Sequence, residues 1–82
     1  DTHATRVLAV GDGYAAVRIG GSLESAVIKN RAIALLLRKG DCVLVGKVMT
    51  GWDEFFGFEV TEAYLGEEET STPRCPQPFS QP

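Results

Sequence analysis

The sequence is poor in the residues that carry most chemistry: it holds one histidine, His3, two cysteines, Cys42 and Cys75, and no uninterrupted apolar run longer than 32–37. A structural zinc site needs four closely placed ligands, so none is expected. Acid–base catalysis needs a histidine or carboxylates gathered in a pocket, and nucleophilic catalysis needs a Ser or Cys with a base in reach. Asp53 and Glu54 are adjacent acids in a polar loop, which reads as solvation. The glycines at 11, 13, 20 and 21 follow neither the dinucleotide-binding nor the Walker spacing, so they are read as turn residues. No enzyme, metal or cofactor is expected. A membrane-spanning helix needs about 20 apolar residues, and the N-terminal residues lack a signal-peptide pattern. The expectation is a soluble protein of a virion or the cytoplasm. Two free thiols in a reducing compartment is the favoured reading of the cysteines, with a Cys42–Cys75 bridge left open.

A strong excess of one sign of charge is also missing. Eleven acidic against eight basic residues give a net charge of -3, so the chain as a whole is not drawn to phosphate backbones or anionic lipid. Hydrophobic residues at 44% and charged residues at 23% are ordinary for a folded domain, and 82 residues leave room for a single core.

What is present is a run of short strand patterns. Residues 5–10 and 14–19 are rich in β-branched and aromatic side chains and are separated by Gly11-Asp12-Gly13, a hairpin signal. After Gly20-Gly21 the segment 23–28 alternates, with Leu23, Ser25 and Val27 opposing Glu24, Ala26 and Ile28. Segment 30–39 is ambiguous. Its alanines and leucines, with Asn30 as N-cap and Gly40 as C-terminal cap, favour a short helix, while an apolar run of that length also suits a buried strand. Residues 42–49 form the clearest strand. From Phe55 the pattern sets Phe56, Phe58 and Val60 against Gly57, Glu59 and Thr61.

Turns every 8–12 residues predict an all-β fold: a small five- to six-stranded barrel over 1–65, OB-like or SH3-like, with one short helix or helical turn. Four prolines among the last ten residues predict an extended Pro-rich arm over 66–82.

Two interaction surfaces suggest themselves. One is a protein-docking surface made of Trp52 and Phe55, an aromatic pair that reads equally as a lid over the barrel, together with Pro73, Pro76, Pro78 and Phe79 of the arm. The other is a basic rim of Lys29, Arg31, Arg38 and Lys39, which with Trp52 would suit single-stranded nucleic acid or a ribosome. Tyr14 and Tyr64 read as structural.

The segments Val17-Arg18-Ile19-Gly20-Gly21 and Lys39-Gly40-Asp41-Cys42-Val43-Leu44-Val45-Gly46 resemble strands of the small β-barrel proteins of tailed-bacteriophage virions. The second segment, following a short helical turn, is also similar to the OB-fold of translation initiation factor 1. The virion resemblance implies a non-enzymatic structural or assembly module of a head, connector or tail, whose terminal extension grips copies of itself or other subunits. The initiation-factor resemblance implies the nucleic-acid alternative.

Overall fold

A computed structural model of the protein describes residues 2–49, 55–66 and 75. Its elements are β1 (Thr2–Gly11), β2 (Tyr14–Ile19), β3 (Ser22–Val27), α1 (Arg31–Leu36), β4 (Cys42–Met49) and β5 (Phe55–Tyr64). The five strands close into a barrel in the order β1-β2-β3-β5-β4, with β1 paired to β4. All pairings are antiparallel except β3 with β5, which is parallel and joined through Ala26↔Phe58 and Val27↔Glu59. The small all-β barrel with one short helix is what the strand spacing predicts.

Alternation sorts the side chains. Val7, Ala15, Val17, Ala26, Val43, Val45, Phe58 and Val60 point inward and form the core with Ile28 and Leu37. His3 sits in β1 opposite Val45, its ring edge-on to Phe58 at 6.4 Å, so the lone histidine is part of the sheet. Leu8 follows the buried Val7 and faces outward, and a register shift between Val7 and Ala9 turns Ala9, paired with Ala16, outward as well. In β3 the two faces split unevenly: Ala26 is buried, whereas Leu23 and Val27 lie outside.

The β2–β3 hairpin turns through Gly20 (φ 58°) and Gly21 (φ 87°) between the paired Ile19 and Ser22. Two consecutive positive φ values give the primed turn whose twist matches the strands. No atom lies within 4 Å of a Cβ built at Gly21, so a side chain there meets only backbone strain. Gly21→Ala should therefore cost about 1–2 kcal/mol, measured by urea unfolding; an unchanged midpoint would show that the turn relaxes freely.

The helix is shorter than segment 30–39. Asn30 caps it as expected, its side chain accepting from the Ile33 N–H at 3.2 Å. Its C-terminal cap is Leu37 (ψ 138°), not Gly40. The reason lies in two competing attractions: Leu37 is drawn into the core, and the Arg38 N–H is taken by the Asp41 carboxylate at 2.9 Å. Gly40, at φ 93°, instead turns the chain into β4 and donates its N–H to the Val7 carbonyl at 2.8 Å.

Candidate interaction surface

The entry to β4 is a knot of polar contacts centred on Asp41, which is 1% exposed. Carboxylate Oδ2 accepts from the Arg38 N–H at 2.9 Å and Oδ1 from the Gly66 N–H at 3.1 Å. Its main-chain carbonyl accepts from the Val7 N–H at 2.9 Å, and Arg6 Nη1 donates to the neighbouring Gly40 carbonyl at 2.6 Å. A buried carboxylate needs hydrogen-bond partners, and here each oxygen has a main-chain amide, one from the adjoining turn and one from beyond β5. Asp41 thereby ties the middle of β1, the α1–β4 connection and the exit of β5 to one point.

Next to it, Cys42 and Cys75 form a disulfide with Cα atoms 5.7 Å apart. This corrects the expectation of free thiols. Cys42 faces the outside of β4, opposite in parity to Val43 and Val45, and Cys75 covers it in a small cluster separate from the main core. The segment expected to form an arm is thus held at Gly66 and again at Cys75. Sequence spacing does not reveal such a pair, because 33 residues separate the partners and only the fold brings them together.

The same end of the barrel carries most of the exposed large apolar side chains. The end of β1 contributes Leu8 and Val10, the start of β2 Tyr14, the end of β3 Val27, α1 Leu35 and Leu36, and the exit of β5 Leu65. Leu35 is 77% and Leu36 59% exposed, which is unusual for leucines of a small domain. The cause is geometric. A helix of six residues resting on a barrel offers one stripe to the core, and Ile33 with Leu37, four apart, occupy it. Leu35 and Leu36 fall off that stripe.

Lys29, Arg31, Arg38 and Lys39 are all exposed, and all lie on the β3–β4 connection that contains α1, so the expected basic rim is gathered at this end. Trp52, Pro73, Pro76, Pro78 and Phe79 fall outside the described residues, and Phe55 is described only as backbone at the start of β5. The sequence reading missed Leu8, Val10, Leu35, Leu36 and Leu65. The signal for the two helical leucines was an apolar run too long for one face of so short a helix.

A groove of about 220 Å³ lies over the β3–β5 seam, lined by Ser25, Val27, Lys29, Val48, Gly57 and Phe58. Typical small-molecule sites measure roughly 300–1,000 Å³, so this one is small for a ligand pocket. Among the described residues no three or more His, Cys, Asp or Glu side chains are grouped to hold a metal ion, and no helix is long and apolar enough to cross a membrane. No family model matches the chain, and no curated protein or solved structure matches it.

Proposed function

We propose that the protein is a non-enzymatic assembly module, an OB-type barrel that docks onto protein through the barrel end carrying α1. The observation that carries this reading is the exposed pair Leu35 and Leu36, set among further apolar residues at that one end. Large apolar side chains left in water at one end of a small domain mark a place that a partner can cover. The strand order β1-β2-β3-β5-β4, the parallel β3–β5 pair and the helix between β3 and β4 support the OB type over an SH3-like barrel. The Cys42–Cys75 disulfide supports work outside a reducing cytosol, and a virion head, connector or tail is a setting that fits both the staple and repeated docking.

Single-stranded nucleic acid has less support as partner. OB barrels take up oligonucleotides on the face of strands 2 and 3. In this chain the outward residues there are Tyr14, Ala16, Arg18, Leu23, Ser25 and Val27. The one cation among them, Arg18, donates through Nη1 to the Gly21 carbonyl. Arg31, Arg38 and Lys39 sit on the helix connection beyond those strands, and Lys29 reaches the groove lined by Ser25 and Val27.

The test is the size of the native complex in an extract of the host that makes the protein. The wild-type chain should migrate well above its monomer mass, and Leu35→Glu/Leu36→Glu should shift it to the monomer. A wild-type chain that migrates as a monomer would remove the reading.

A further inference from the structure

We infer that the Cys42–Cys75 bridge is a thiol-exchange site with a fixed direction: a low-molecular-weight thiol becomes joined to Cys75, and Cys42 leaves as the thiolate. The inference is independent of the docking reading above. Its basis is the side of the barrel wall on which each sulfur lies. Cys42 points away from the core, opposite in parity to Val43, yet it is 0% exposed. Arg6 on β1 and Tyr64 on β5 are its cross-strand partners, so their side chains flank it on the same outer face. Cys75 lies over it from outside and keeps 6% exposure.

Thiol–disulfide exchange begins when a thiolate attacks one sulfur from the side away from the other. The far side of Cys42 is the barrel wall with its two flanking side chains, whereas Cys75 sits on the solvent side of the bridge. In the first step the incoming sulfur bonds to Cys75 Sγ, the Sγ–Sγ bond breaks, and its electron pair leaves on Cys42. A second molecule of the same thiol then attacks the sulfur that the first one contributed, releasing the small disulfide and the Cys75 thiolate. Two thiols thus supply the two electrons and, through water, the two protons that turn the bridge into a pair of thiols. A sulfur leaves more readily when its thiolate is stabilised, and a cationic neighbour stabilises it. Residues paired across antiparallel strands hold their Cβ atoms about 4.5–5.5 Å apart, which sets the Arg6 side chain beside Cys42. The Arg6 guanidinium is further held at the entry to β4 by its Nη1 bond to the Gly40 carbonyl.

The experiment treats the purified, oxidised full chain with reduced glutathione, stops the exchange in acid at short times, alkylates the free thiols and maps both cysteines by mass spectrometry. Glutathione should be found on Cys75 and the alkylating group on Cys42, with the reverse pattern at least about tenfold rarer, the ratio expected when only one sulfur can be approached. In urea that unfolds the chain, both cysteines should carry the adduct. Arg6→Gln should slow the first step by roughly threefold, while Arg6→Lys, which keeps the charge and gives up the forked geometry, should retain the wild-type rate; circular dichroism checks that both variants are folded. The inference is overturned by an even split between the two sulfurs in the native protein, by adducts chiefly on Cys42, by no adduct at all, or by a purified chain that carries two free thiols. A preference for Cys75 that persists in urea would show that the fold does not set the direction, and an Arg6→Gln rate equal to wild type would take Arg6 out of the site.

Discussion

Asp41→Ala should lower the stability of the barrel by about 3 kcal/mol, from two hydrogen bonds to a charged acceptor at roughly 1.5–3 kcal/mol each, less the relief of no longer burying a charge. The carboxylate is 1% exposed, and water has poor access to replace it on the Arg38 and Gly66 amides. For a domain of this size such a loss lowers Tm by roughly 12–24 °C. Asp41→Asn keeps one acceptor oxygen and turns an N–H₂ toward the other amide, so it should cost at least half as much. Urea unfolding followed by circular dichroism measures both. A change within about 0.5 kcal/mol for the alanine variant, the range of an ordinary surface substitution, would mean that the knot at the β4 entry contributes nothing to holding the sheet.

Removing the neighbouring staple should have a comparable effect by a different route. The Cys42–Cys75 bridge closes a loop with partners 33 residues apart, and the chain-entropy relation assigns such a loop about 3–4 kcal/mol. Reduction, or Cys42→Ala/Cys75→Ala, should lower the unfolding midpoint accordingly while leaving the β-rich spectrum of the native state in place, because Val43 and Val45 pack inward and do not touch the bridge. An oxidised and a reduced sample with the same midpoint would show that the bridge does not restrain the unfolded chain. The two effects should not add. Both ties restrain the segment that leaves β5, so a double-mutant cycle between Asp41→Ala and the cysteine pair should return a coupling of roughly 0.5–3 kcal/mol.

The strands were legible because alternation and glycine turns are local signals. Phe58 and Val60 against Glu59 and Thr61, and Val43 with Val45, needed no knowledge of their partners. Leu23 and Val27 were less readable: the β3 pattern has apolar residues on both faces, and only closure against β5 decides which one is inside. The extent of α1 was not readable for a related reason. Its end is set by Asp41, which reaches back across the turn to the Arg38 amide.

The barrel end that carries α1 was half legible. Lys29, Arg31, Arg38 and Lys39 announced themselves as charges around an apolar segment, yet their shared position depends on the β3–β4 connection crossing one end of the barrel. The apolar residues beside them come from separate strands and the helix, and no window of sequence contains Leu8, Leu36 and Leu65 together. The disulfide was invisible in the same sense, since its geometry is a property of the closed ring.

The place of β5 between β3 and β4 governs the order in which the molecule can be completed as it emerges from a ribosome. Until residue 64 is available, the first four strands can form only an open sheet with two raw edges, one on β3 and one on β4. Such edges invite pairing with other chains. The last strand therefore acts as a keystone, and the nascent protein stays adhesive until it arrives.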